Sequence, residues 1–358
     1  MYIDTHVHCR DFRQRKRETV AHSLEVAKGS GVVAIFDMPN TSPPIITREL
    51  VSRRLRLARD ADVPEVFYGL YMGLTVDPEQ IKQAVQVYRD FREVVGMKLY
   101  AGHSVGDLGV ITLEAQRTVY KTLSAEGYDG VLVVHCEKED EIRRHEFDHK
   151  RAMTHCLAQP EEAEIESVKD QITLMYETHF TGKLHIAHIS SPRAVELVIQ
   201  AKANGLDISS EVCPHHFIYD WRRMNSISED ERKKGILWKM NPPLRSPESR
   251  DQMFKFLSEG EIDLIATDHA PHTLAGKVKR PFMSGIPGLP WWPVFEEFLS
   301  RHDFSGAEIE RLTFSNAAER FGLDIPRKRN LRKDHRDDYS FSPYKPMENE
   351  LKWSHMGR

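Results

Sequence analysis

Val131-Leu132-Val133-Val134-His135 is a short apolar run that stops on an imidazole. Such a run, rich in β-branched residues, reads as a strand. The same shape recurs along the chain, and the pattern predicts further strands at Tyr2–His8, Val32–Asp37, Val66–Met72, Val95–Tyr100, Leu184–His188, Ile208–Val212 and Leu264–Thr267. Amphipathic stretches of helical length lie between them, at Thr19–Lys28, Thr47–Asp60, Pro78–Phe91, Leu113–Glu126, Glu161–Phe180, Pro192–Asn204 and Pro247–Ser258. Pro293–Ser300 supplies an eighth helix, followed by two short ones around Ser305–Leu312 and Asn316–Phe321. Alternation of this kind indicates repeated βα units. Eight strands over about 320 residues suit an α/β fold of the (β/α)8 TIM-barrel type. A doubly wound open sheet is the competing architecture, and it usually carries a glycine-rich first turn. No GxGxxG follows the first strand, and no GxxxxGK[ST] occurs anywhere.

The barrel is expected over residues 1–325. Its connections Cys213–Ser246 and Asp268–Trp292 exceed the few residues usual between strand and helix and are expected to carry function. From 326 to 358 the chain turns basic, then polar and proline-containing, and reads as a tail packed on the barrel in which only Tyr339–Phe341 is strand-like.

Composition excludes several classes. The 358 residues are 40% hydrophobic, 29% charged and 9% aromatic, enough for one large core or two ordinary ones. Lys and Arg number 50 against 54 Asp and Glu, so no global field favours nucleic acid or an anionic membrane. No uncharged apolar stretch approaches the ~18 residues of a membrane-spanning helix, and no basic-then-apolar leader is visible. Cys9, Cys136, Cys156 and Cys213 lie far apart and form no CxxC pair, which fits a reducing, cytoplasmic setting better than a disulfide scaffold.

The strand endings carry the chemistry. His6 and His8 are alternate residues of one strand, so both imidazoles point the same way and form the start of a Zn2+ site. Further strands end in His135, His188 and Asp268, and another ends in Lys98. Singly, each has a plainer reading, such as a boundary histidine or an aspartate capping the next helix. Together they aim potential ligands at the C-terminal mouth, where barrel active sites are built. An ammonium cannot bind a metal, so Lys98 is either paired with Asp268 or Glu137, or a desolvated amine that takes up CO2. The resulting carbamate is a carboxylate-like ligand able to bridge two metals.

At this point the sequence resembles the amidohydrolase superfamily and, within it, the dihydroorotases. The resemblance runs from residue 1 to about 325 through Asp4-Thr5-His6-Val7-His8-Cys9-Arg10, Asp37-Met38-Pro39-Asn40-Thr41, Met97-Lys98-Leu99-Tyr100, His135-Cys136-Glu137 and His188-Ile189-Ser190-Ser191. It continues through Glu211-Val212-Cys213-Pro214-His215-His216, Lys239-Met240-Asn241-Pro242-Pro243-Leu244-Arg245 and Ala266-Thr267-Asp268-His269-Ala270-Pro271-His272-Thr273. The family implies two Zn2+ ions, the more buried held by His6, His8 and Asp268 and the second by His135 and His188, with carbamylated Lys98 bridging both. Asp268 would also take a proton from the attacking water and return it to the leaving amide nitrogen. The implied reaction is reversible cyclisation of N-carbamoyl-L-aspartate to (S)-dihydroorotate with loss of water, in pyrimidine biosynthesis.

Arg10 shares the strand face of His6 and His8, and its planar fork suits the substrate carboxylate. The family would complete that clamp with Asn40 and His272, and would place Asn241 and backbone groups around Ser284 and Gly285 on the ring. His215 and His216 read as structural or supporting groups. The expected partner is this small-molecule substrate, with no nucleic acid and no membrane, and a homo-oligomer stands open.

Three departures from the family stand out. Pro290-Trp291-Trp292 occupies the place of a family glutamate, and the N-terminal strands that many relatives fold into a small β-sandwich have no counterpart. Some relatives also bridge their metals with Asp or hold one metal only. Two other readings remain: an allantoinase or hydantoinase/dihydropyrimidinase, whose substrates lack the carboxylate that Arg10 would meet, and a catalytically silent scaffold, which typically loses metal ligands.

Overall fold

The computed structural model describes residues 1–103, 108–225, 230, 234–326 and 333–356, with the side chains of 352–356 left aside. Eight parallel strands pair strictly in chain order: β1 (Tyr2–Val7), β2 (Val32–Asp37), β3 (Phe67–Gly73), β4 (Val94–Ala101), β5 (Val131–Cys136), β6 (Lys183–Ile186), β7 (Ile208–Val212) and β8 (Leu264–Ile265). A bridge between Val7 and His269, with the His8 N–H donating to His269 O at 2.8 Å, joins the last strand's extension to the first. The sheet is therefore a nearly closed barrel. Helices α1 (Val20–Ser30), α2 (Arg48–Asp60), α3 (Pro78–Asp90), α4 (Leu113–Ala125), α5 (Glu161–Thr178), α6 (Pro192–Ala203), α7 (Pro247–Ser258) and α8 (Trp292–Arg301) follow the strands.

Local chemistry sets these boundaries. Thr19, Thr47, Asp77, Thr112 and Ser246 cap helix starts by accepting backbone N–H groups. Proline opens α3, α6 and α7, where its missing N–H costs nothing. Gly31 ends α1 in the left-handed conformation. One apolar cluster fills the space between strands and helices. A second, including Ile3, Phe36, Tyr71, Val95 and Val133, packs on Phe314 and Phe321, with the Phe321 ring 4.9 Å from Phe36.

The long connections contain short helices of their own, at Pro214–Ile218, Gly235–Trp238 and Leu274–Val278. The two short helices expected beyond α8 are contiguous: Gly306–Glu310 runs through a π-helical turn, Arg311–Ser315, into Asn316–Arg320. Tyr339–Phe341, expected to be strand-like, pairs with no strand. Barrel closure leaves no ladder edge there, and the Tyr339 hydroxyl instead donates to Glu18 at 3.0 Å. An unanticipated helix, α9 (Lys345–Met356), follows. Tyr344, just before it, is fully buried against Phe295, with ring centroids 4.6 Å apart. Among the described residues no helix is long and apolar enough to cross a membrane.

Candidate functional site

A cavity of about 330 Å3 opens at the C-terminal ends of the strands. Its lining includes His6, His8, Arg10, Asn40, His135, His188, Asn241, Asp268, His272, Ser284 and Gly285. Thus eleven of the twelve residues singled out from the sequence share one cavity, and Lys98 is fully buried nearby, on β4. Three of them sit where the backbone leaves regular geometry: Arg10, His188 and Asp268 have φ of 50°, 37° and 44°. Left-handed backbone at a non-glycine residue costs of order 1–3 kcal/mol and clusters at functional sites.

The imidazoles are held by their outer nitrogens. Glu211, fully buried on β7, accepts from His6 Nδ1 at 2.5 Å and from Thr5 Oγ1 at 2.6 Å. Asn40 Oδ1 accepts from His8 Nδ1 at 2.8 Å. Each ring's Nε2 is thereby left with a lone pair facing Asp268 Oδ1, at 3.6 Å from His6 and 2.9 Å from His8. Two acceptors that close call for a cation between them. His135 Nε2 lies 3.0 Å from Glu137 Oε2, and its Nδ1 faces His188 Nε2 at 2.9 Å. His188 Nδ1 is buried with no hydrogen-bond partner among the described residues. Burial first, and then the Lys98 charge, lowers His6 to about 4, and burial pushes His188 well below the usual imidazole range. Neutral imidazoles are what a metal needs.

Lys98 Nζ is likewise buried without a hydrogen-bond partner among the described residues. Burial lowers it to about 8 against the opposing pull of Glu211 and Asp268. An orphaned buried amine of that pKa has a substantial neutral, nucleophilic fraction. The donor set, nitrogen from imidazoles and oxygen from a carboxylate, fits Zn2+ or a similar divalent ion.

Arg10 is 3% exposed, and its Nε has no hydrogen-bond partner among the described residues. Its Nη2 lies 3.4 Å from His272 Nε2. Its backbone carbonyl accepts from Arg54 at 2.9 Å, and Arg54 is in turn ion-paired with Asp37 at 2.6 Å. Burial and the neighbouring Arg17 lower Arg10 only to about 10, so it stays cationic. Asn241 Oδ1 faces His155 Nε2 at 3.1 Å. The backbone groups expected to meet a ring are engaged within the protein: Gly285 N–H donates to Lys239 O at 2.9 Å, and Ser284 O faces His272 Nε2 at 2.8 Å. His215 pairs with Tyr344 at 3.1 Å and His216 with Pro242 O at 3.1 Å, and neither lines the cavity.

Sequence reasoning assigned no role to Glu211, Lys239 or Lys277. Lys277 Nζ donates to the carbonyls of Lys239 and Gly285 at 2.7 and 2.8 Å, tying together the loops after β7 and β8. Trp291 and Trp292, the departure from the family pattern, are fully buried, and the Trp292 indole donates to Asp4 at 2.9 Å.

No protein-family model matches the chain. It is 31% identical over 287 residues to a dihydroorotase of Thermococcus kodakarensis, covering 80% of this chain and 59% of that one. A Halobacterium salinarum dihydroorotase is 30% identical over 328 residues, covering 90% of this chain and 71% of that one. An allantoinase of Deinococcus radiodurans is 27% identical over 342 residues, with 92% and 72% covered. Among solved structures, the L-hydantoinase of Arthrobacter aurescens superposes with a TM-score of 0.76 at 23% identity, over 93% of this chain and 74% of that one. That likeness concerns the fold.

Proposed function

This chain belongs to the cyclic amidohydrolases, and on that premise we propose that it is a dihydroorotase, interconverting N-carbamoyl-L-aspartate and (S)-dihydroorotate in pyrimidine biosynthesis. Arg10 carries the reading. It is a buried cation at the histidine-lined cavity, its fork turned to His272 and its Nε without a partner among the described residues. Allantoin and hydantoin offer no carboxylate to such a group. Dihydroorotate does, and a charge-assisted bidentate contact is worth roughly 1.5–3 kcal/mol.

His6, His8 and Asp268 would hold one Zn2+, His135 and His188 a second, and Lys98, carbamylated by CO2, would bridge them. When bound, such ions lower the pKa of water toward neutrality and polarise a carbonyl. Arg10 and His272 fix the substrate carboxylate, and so orient the ring with its scissile carbonyl toward Asp268. In the hydrolytic direction water adds to that carbonyl carbon, and the Asp268 carboxylate accepts the proton. The C–N bond then breaks, and Asp268 returns the proton to the departing nitrogen. Ring closure runs the same steps in reverse. Asn241, in the loop after β7, would contact the ring amide.

The test is turnover of dihydroorotate and carbamoyl aspartate beside allantoin and hydantoin on metal-analysed protein, with Arg10→Met as the variant. Dihydroorotate kcat/KM should fall about 10–10^3-fold in Arg10→Met, at 1.36 kcal/mol per decade. Metal content should be unchanged, and trace activity on the uncharged dihydrouracil should fall far less. Preferred turnover of allantoin or hydantoin by the unmodified protein would assign it to those branches instead.

A further inference from the structure

Away from the cavity, three ligand-type side chains converge where the C-terminal segment crosses α1. His22 stands on the first turn of α1, and His335 precedes and Asp338 ends a short helical turn at Arg336–Asp338. His22 Nε2 and His335 Nδ1 approach the same oxygen, Asp338 Oδ2, at 3.0 and 2.7 Å. The three ligand atoms all lie within 4.8 Å of one another. We propose that His22, His335 and Asp338 form a peripheral site for a first-row divalent transition metal, which staples residues 333–339 to α1.

The carboxylate behind His22 gives the site its direction. Glu18 Oε1 accepts from His22 Nδ1 at 2.6 Å and Asp338 Oδ2 from Nε2 at 3.0 Å; the bond to Glu18 above all, with Asp338 adding to it, raises His22 to about 9, so an ion binding at Nε2 takes the place of a proton. A carboxylate that orients a histidine from behind is the usual support of a metal-binding imidazole. The space between Nε2 and Oδ2 then calls for a cation. A proton on His22 can serve, and a metal ion displaces it.

The segment is also held in place before any ion binds. Lys333 N–H donates to Gly29 O at 3.0 Å. A Cβ at Gly29 would stand 2.6 Å from Lys333 O and 2.8 Å from the His335 ring, so glycine there permits the close approach. His335 is 7% exposed, whereas the Asp338 side chain is 41% exposed, leaving an open side for an ion and its waters. Two imidazole nitrogens and one carboxylate oxygen favour Zn2+, Co2+ or Ni2+ over Mg2+ or Ca2+, with water completing the coordination. None of the three residues lines the cavity, so the site stands independently of the catalytic reading.

Metal-stripped full-length protein should be titrated with Zn2+ against a chromophoric chelator, beside His335→Ala and Asp338→Asn. The unmodified protein should bind one equivalent more than either variant, and that last equivalent should raise its Tm by several degrees. Turnover by both variants should stay within about twofold. In the unmodified protein, the imidazole resonances of His22 and His335 should move with the last equivalent, a readout that requires no variant to fold. Equal stoichiometry in all three proteins, or unmoved His22 and His335 resonances at saturation, overturns the site. Either result leaves the catalytic reading untouched, because that rests on turnover.

Discussion

Glu211→Gln removes one charge from the floor of the centre while keeping its shape. Burial works to raise the Glu211 carboxyl, and the adjacent His6 and His185 outweigh it, holding the group well below the usual carboxylate range. The ionised carboxylate accepts from His6 Nδ1 at 2.5 Å and from Thr5 at 2.6 Å, and faces His185 at 3.2 Å. A charge-assisted bond contributes about 1.5–3 kcal/mol against ~1 for a neutral one, so loss of the charge weakens the grip on His6 by roughly 1–2 kcal/mol. That corresponds to about 5–30-fold, and removing a group that orients a metal-binding histidine typically costs 10–100-fold in metal affinity. A second effect points the same way. If the glutamine turns its NH2 toward His6, Nδ1 must accept and the proton moves to Nε2, the nitrogen facing Asp268 at 3.6 Å. Zn2+ affinity, measured by chelator competition, should therefore fall about 10–100-fold. Activity at limiting metal should fall in parallel, and excess Zn2+ should restore part of it. An affinity within twofold of the unmodified protein would refute the view that Glu211 sets the His6 tautomer.

Lys98→Ala should lose one of two bound metals and most turnover, with short carboxylic acids restoring part of both; full metal content and activity would exclude a bridging role. Asp268→Asn keeps an oxygen that coordinates weakly but accepts no proton, so kcat should drop at least ~10^2-fold even when metal is retained. Near-normal kcat in that variant would place the base elsewhere. Burial, followed by the Lys239 charge, lowers His155 to about 3 from its ordinary 6.5. Between those values the unfolded chain takes up a proton that the folded one excludes. Stability should therefore fall on acidification below pH 6.5, by up to ~1.4 kcal/mol per unit. His155→Gln should flatten the decline of Tm between pH 6.5 and 5, and parallel declines in the two proteins would contradict this.

The strand order was legible because each barrel strand is a compact apolar run, and β2 and β7 fall on their expected residues. Two strands, β6 and β8, stop short of their expected ends for a related reason. β6 was expected to reach His188, but its ladder stops at Ile186 as the backbone turns to φ 37° at His188. β8 was expected to reach Thr267, yet it stops at Ile265, and the Thr267 N–H donates to the Asp4 side-chain carboxylate on β1 at 3.0 Å instead of to a backbone carbonyl. In these two strands ladder geometry gives way just before His188 and Asp268 enter the cavity lining. The C-terminal helix had a readable signal in the buried Tyr344, Met347 and Leu351, spaced 3 and 4 residues apart, but the charged residues between them mask it.

The site divides along a similar physical line. His6 and His135 lie within strands, where a period of two fixes side-chain direction, and His8, His188 and Asp268 follow strand ends by one to three residues, so residue type and position after an apolar run suffice to bring all five to one mouth. Glu211 lies inside β7, in Ile-Ser-Ser-Glu-Val, and its only local signal is a carboxylate among buried residues that must find a partner. That partner, His6, is 205 positions away in sequence and two strands away around the barrel, so the contact is defined only once β8 is joined to β1. Lys277 is less visible still. Its two acceptors are backbone carbonyls, which carry no trace in residue type, supplied by two long loops. Groups that act along a strand can therefore be read from periodicity. Groups that hold them in place depend on closure of the barrel and folding of the loops, and the Glu211→Gln measurement probes that dependence directly.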